Sequence, residues 1–209
     1  MALERQTPRK RRADGEESRR RILDAAVAVA TERGYEGTSI ALVSGKCGLP
    51  ASSIYWHFAD KDDLIAAVIE RSFDTWLCAW TVPDGDGPRE RIMALGTQVA
   101  AALVDSPDFL RLGLMLTLEH RPVEARARET FLHVRQQAKR RIAATLREFG
   151  LGLPEESVAL LTTYAMATAE GLFIAAEAGG DNVDLVALFE LHARQLYDAA
   201  VRSNTSEGQ

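Results

Sequence analysis

The sequence predicts an all-α protein, and three observations carry that prediction. Apolar residues recur at helical spacing through most of the chain. Turn-formers are few, with 15 Gly and 7 Pro in 209 residues. No segment shows the apolar–polar alternation of a half-buried strand. With 46% hydrophobic and 26% charged residues, the composition is that of a globular chain able to bury a core. Its length suits a small domain joined to a larger one.

Residues 1–16 are polar and basic without an apolar period, so a flexible arm is expected there. From Glu17 to Arg33, Ile22, Leu23, Ala26, Val29 and Ala30 keep the spacing of an amphipathic helix, which Gly34 ends. Thr38 is expected to cap a second helix that runs to about Cys47. Gly48 breaks it, and Pro50 opens a third helix reaching about Phe58. Asp60 caps a fourth, with Asp63 at its third position as an acidic form of the capping box.

That fourth helix carries Leu64, Ile65, Val68, Ile69, Phe73, Trp76 and Leu77 toward Trp80, and is too long to belong to the small domain alone. The Pro-Asp-Gly-Asp-Gly-Pro run at 83–88 reads as a loop. Helical patterns follow at Arg89 to Val104, at Pro107 to His120 behind a Ser106 cap, and at Val123 to Phe149. Glu155 to Ala178 and Asp184 to Ser203 complete the series. The expected organisation is an arm at 1–16, three helices in 17–62, six in 63–203 and a frayed tail at 204–209.

The net charge of −5 speaks at first against a nucleic-acid partner, but it is unevenly distributed. Residues 1–65 hold 11 basic and 10 acidic side chains, whereas the remainder holds 14 and 20. Eight of the basic residues lie within the first 21 positions, an electrostatic footprint suited to DNA. No charge-free run of about 18 apolar residues occurs, and no apolar stretch precedes the basic cluster, so a cytoplasmic protein without membrane contact is expected. Cys47 and Cys78 sit at no metal-ligand spacing and fall in helical segments, which suits reduced, packed thiols. No cofactor or metal is expected.

Two short helices joined by a tight turn, Thr38 to Cys47 and Pro50 to Phe58, have the dimensions of a DNA-reading helix-turn-helix. At about 100° per residue, Ile54 and Phe58 share one face of the third helix, while Ser52, Ser53 and Trp56 share the opposite face, flanked by Tyr55 and His57. The run Gly37-Thr38-Ser39-Ile40 followed by Cys47-Gly48-Leu49-Pro50-Ala51-Ser52-Ser53-Ile54-Tyr55-Trp56-His57-Phe58-Ala59-Asp60-Lys61 closely resembles the tetracycline-repressor (TetR) family. The likeness spans roughly residues 17–70. It departs at Leu42, where a charged residue is common, at Ser44, where Ala is usual, and at Ala51, often a phosphate-contacting Lys.

The resemblance implies a ligand-responsive repressor that binds an inverted-repeat operator as a homodimer. Thr38, Ala51, Ser52, Ser53, Tyr55, Trp56, His57 and Lys61 are then the residues expected to touch DNA. Beyond residue 70 the likeness is architectural and implies an effector domain. Trp76, Trp80, Met93, Thr97, Phe109, Met115, Glu119 and Tyr164 are expected to line a cavity for an apolar or aromatic effector, the other reading being that the aromatics among them simply fill the core. The last two helices, rich in Ala and Gly on one and carrying Leu185, Leu188, Phe189 and Leu196 on the other, resemble the family's dimer-forming pair. An enzyme finds no support: there is no nucleophile elbow or phosphate loop, and Glu119 and His120 are adjacent and so face apart. The alternative is a DNA-binding protein of the same fold that takes no small ligand and is controlled by a protein partner.

Overall fold

The computed structural model describes residues 8–85, 87–118 and 126–205. Among them the regular structure is helical throughout: α1 (Pro8–Arg33), α2 (Ile40–Cys47), α3 (Ala51–His57), α4 (Lys61–Cys78), α5 (Pro88–Asp105), α6 (Asp108–Leu118), α7 (Arg126–Glu148), α8 (Glu155–Gly179) and α9 (Leu185–Thr205), with one 3-10 turn at Gly180–Asn182. The all-α class and the helix count agree with the periodicity of the sequence.

Local chemistry accounts for most boundaries. Gly48 closes α2 in the left-handed region at φ 67°, and its N–H donates to the Ser44 carbonyl. Pro50, extended at φ −63°, precedes α3. At the start of α4 the Asp63 N–H donates to Asp60 Oδ1 (2.8 Å), and the Ala59 N–H donates to Asp63 Oδ2 (3.0 Å). This is the reciprocal acidic box, displaced by one residue on its return bond.

Three expectations need correction. Helix α1 begins at Pro8, so residues 8–16 continue the first helix rather than forming an arm. The segment is rich in Arg, Lys, Ala and Glu behind a proline at its first position, a propensity signal that a search for apolar periods does not register. The cap of α2 is Ser39, whose hydroxyl accepts from the Leu42 N–H (3.3 Å); Thr38 is instead 2% exposed and donates to the Gly34 carbonyl (2.7 Å). Cys47 is packed as expected, but Cys78, the last residue of α4, is exposed.

The chain forms two compact units, and their division differs from the boundary expected after residue 62. The first joins the residues up to Ser72 with Asp108–Leu132; the second comprises Phe73–Pro107 and the residues from His133 onward. In the first unit Ile22 and Leu23 of α1, Val43 of α2, Ile54 of α3 and Leu64, Ile65 and Val68 of α4 are almost wholly buried. Each contributes about 1.5–3 kcal/mol relative to exposure. Helix α6 belongs here through the Ser72 hydroxyl, which accepts from the Phe109 N–H (3.1 Å), and through Gly113, whose missing side chain leaves room for the Phe131 ring of α7.

In the second unit α5 lies against α9 at Gly96, where a Cβ would stand 2.7 Å from that of Ala193. The Thr97 hydroxyl donates to Glu190 (3.2 Å) across the same interface. Arg135 of α7 grips Glu170 of α8 with two bonds of 2.5 and 3.0 Å. Leu146, Leu161 and Ala200 join α7, α8 and α9 in a small apolar cluster. Helix α8 keeps one face outside this packing: Leu160, Tyr164, Ala167, Gly171 and Ile174 are all exposed and follow one another at helical spacing. The stretch Glu155–Asn182 is long and apolar enough to cross a membrane by length and composition alone.

Candidate nucleic-acid interface

Helix α2, the turn at 48–50 and helix α3 are held as one piece. The Ser44 hydroxyl donates to the Leu49 carbonyl (2.6 Å), and Arg21 of α1 donates to the Cys47 carbonyl (2.7 Å), closing the end of α2 with a cation. Ile54 is fully buried and Phe58 nearly so, which pins one side of α3 to the core. Trp56, on the opposite side, is 77% exposed. Ser52 and Tyr55 are exposed with it, whereas Ala51, Ser53 and His57 are half-buried.

An indole this exposed gains little from burial, so folding of the chain does not explain a tryptophan at this position. His57 meets the Trp56 ring edge-on at 4.6 Å. Burial holds the His57 imidazole below its ordinary pKa, and the nearby Arg19 adds to the effect. It is therefore neutral near pH 7, with one ring nitrogen to donate and one to accept. Arg19 also lies over the Phe58 ring at 5.4 Å. Between α1 and α3 runs a groove of about 370 Å³ lined by Asp14, Gly15, Ser18, Ser52, Ser53, Trp56 and His57. The Trp56 ring lies 3.7 Å from where a Cβ on Gly15 would stand.

Six of the eight residues expected at DNA, Ala51, Ser52, Ser53, Tyr55, Trp56 and His57, thus lie on α3 with solvent access. Thr38 is not at the surface, because its side chain is spent inside the loop before α2. Lys61 is held inward: its Nζ donates to the Tyr35 carbonyl (3.2 Å), stands 4.2 Å over the Tyr35 ring and is 3.7 Å from Glu36. Asp14, Gly15 and Ser18 of the groove are absent from the sequence expectation, because a charged helix start without an apolar period does not announce itself.

Residues 22–68 match the family model described as bacterial regulatory proteins, tetR family. This stretch is the part of the chain that is similar to the tetR family. Two curated relatives match part of the chain. The transcriptional repressor KstR of Rhodococcus jostii is 30% identical over 91 residues, 44% of this chain and 43% of that protein. The regulator AcrR of Shigella flexneri is 36% identical over 64 residues, 31% of this chain and 30% of that protein. The matched stretch therefore spans less than half the length of either relative.

Solved structures extend the likeness in fold past the matched stretch. The fatty acid degradation regulator FadR from Bacillus halodurans superposes with a TM-score of 0.72 at 18% identity, covering 85% of this chain and 93% of that one. SmeT, the repressor of a Stenotrophomonas maltophilia multidrug efflux pump, superposes with a TM-score of 0.67 at 22% identity, covering 87% and 89%.

The residues expected to hold an effector are divided between the two units. Trp76, Trp80, Met93 and Thr97 belong to the second unit, whereas Phe109 and Met115 belong to the unit that contains the matched stretch. Trp76 is buried, donates to the Val99 carbonyl (3.3 Å) and meets Trp80 edge-on at 5.1 Å. Trp80 donates to the Thr145 hydroxyl (3.3 Å). Met93 is half-buried, and its carbonyl accepts from the Thr97 hydroxyl (3.3 Å). Phe109 is buried, and Met115 and Tyr164 are 41% and 43% exposed. Glu119, with His120, lies outside the described residues. Helical periodicity marks which residues are apolar, and it cannot separate a face that meets the core from one left open.

Proposed function

We propose that the chain is a transcriptional repressor that binds an inverted-repeat operator as a homodimer and releases it on binding a small apolar molecule. The observation that supports DNA reading most directly is the exposed row Ser52, Tyr55 and Trp56 on α3, backed by buried Ile54 and Phe58. A short helix pinned on one side and open on the other suits insertion into a major groove. Ser hydroxyls pair with several base edges, and the Ala51 methyl suits a thymine, so sequence readout is modest and shared with DNA shape. The apolar row on α8 supports the dimer, because a face of this kind on a free monomer would be a sticky patch. The adjacent rings of Trp76 and Trp80 support an apolar or aromatic effector. The relatives' regulatory roles support a site of action in the cytoplasm.

The test is selection of bound sequences from random duplex DNA, followed by binding of the selected duplex to wild type and to Trp56→Ala. The expected result is a two-fold symmetric consensus whose affinity falls at least about ten-fold in the variant. Recovery of no preferred sequence would overturn the operator reading. For release, a compound that quenches Trp76 or Trp80 is titrated with and without the selected duplex. Induction requires weaker binding of the compound when DNA is present.

A further inference from the structure

The recognition helix α3 is followed by only three residues, 58–60, before α4 begins. Phe58 is buried, and the Ala59 and Asp60 polar groups are engaged by the capping box with Asp63. So short and fully bonded a connection makes the pose of α3 follow the first turn of α4. That first turn is in turn fastened to α7. Asp62 accepts the Tyr35 hydroxyl at Oδ1 (2.8 Å) and the Ala127 N–H at Oδ2 (3.3 Å). Ala127 is in the first turn of α7, where N–H groups lack partners within the helix, so the Asp62 carboxylate serves as the cap of a helix far along the chain. Beside it, Arg126 pairs with Asp63 at 2.6 Å.

Asp62 joins three separate pieces of chain: the step after α1 through Tyr35, the start of α4 and the start of α7. Lys61 completes the knot from the other side through the Tyr35 carbonyl and ring. Both α4 and α7 continue into the second compact unit, α4 at Phe73 and α7 at His133.

We propose that Asp62, with Arg126 and Tyr35, is a latch that sets the DNA-competent pose of α3, and that the first turn of α7 is the part that engages and releases it. Asp62 and Arg126 are positioning residues; they act on DNA only through α3. The inference rests on the DNA-binding reading above. Its consequence is that α7 controls DNA affinity alongside α4, with no residue of α7 touching the operator.

The test compares wild type with Asp62→Asn, which keeps the shape and removes the charge, and with Arg126→Ala, at a side chain that is 65% exposed. Affinity for the selected duplex is measured at several salt concentrations. Amide exchange of the stretch 126–132 is followed with and without DNA. Asp62→Asn is expected to lower affinity about five-fold, and Arg126→Ala about two- to five-fold. Both should leave the salt slope unchanged, because the protein still neutralises the same phosphates. In wild type, DNA should slow exchange at 126–132, as reciprocity demands, and Asp62→Asn should abolish that slowing. A merely structural role would move none of this DNA-dependent exchange. Unchanged affinity in Arg126→Ala together with exchange at 126–132 that ignores DNA would overturn the latch alone. Failure of wild type to bind any selected duplex would overturn the operator reading and the latch with it.

Discussion

Ile54 and Trp56 are two positions apart on α3 and face opposite ways, so truncating each tests a different property. Ile54→Ala leaves a cavity under the recognition helix and is expected to cost about 2–5 kcal/mol in chemical denaturation. Trp56→Ala should leave the denaturation midpoint nearly unmoved and show its effect only in DNA binding. A similar contrast holds at Gly113, where the Phe131 ring occupies the place a Cβ would take. Gly113→Ala should lose about 1–3 kcal/mol in thermal or urea unfolding, although alanine is the better helix former. His192 supplies a pH effect. Burial holds its imidazole below the ordinary value of 6.5, outweighing a bond to the Ala165 carbonyl, and its Nδ1 is buried without a partner among the described residues. The unfolded chain therefore takes up a proton before the folded chain does, and stability falls as pH drops below about 6.5. Thermal midpoints between pH 7.5 and 5.5 should fall further in wild type than in His192→Gln; equal losses would remove His192 as the cause.

At the scale of elements, the start of α1 offers the most direct measurement. Deleting residues 1–15 removes five basic side chains and the piece of helix beside Trp56. DNA affinity should fall, and the slope of log affinity against log salt should flatten by about one unit for each phosphate that the deleted cations neutralise. An unchanged slope would mean that this segment does not touch the backbone of DNA. The same helix shows where reading the sequence succeeds and fails. Gly48, Pro50 and the Asp60–Asp63 box announce α2, α3 and α4 because caps and breakers are local chemistry, readable one residue at a time. Ile54 and Phe58 announce the buried side of α3 for the same reason of spacing. The start of α1 escapes because its charged residues carry propensity without an apolar face. Ser39 rather than Thr38 caps α2 because two neighbouring hydroxyls compete for the role, and the loop geometry turns Thr38 back on Gly34. Asp62 gives no signal as the cap of α7, since the two are more than sixty positions apart. For the same reason the sequence does not say which effector residues are neighbours: tertiary contacts are not written in any local period.

For the molecule as a whole, the decisive quantity is how the exposed row on α8 is covered. Leu160 is 69% exposed and stands on α8 with Tyr164 and Ile174, which are 43% and 48% exposed. Sedimentation equilibrium at micromolar protein should give a dimer, and Leu160→Glu or Ile174→Glu should shift it toward the 22.9 kDa monomer. A wild-type monomer under those conditions would remove the two-half-site operator as well. The row has a consequence for the dose of protein in a cell. If two copies must meet before either can hold DNA firmly, then below the dimerisation constant the binding species rises with the square of the amount of chain. Halving synthesis would leave about one quarter of the dimer. Control by such a protein would be steep in gene dosage before any ligand is present, and growth without new synthesis would alone loosen its grip.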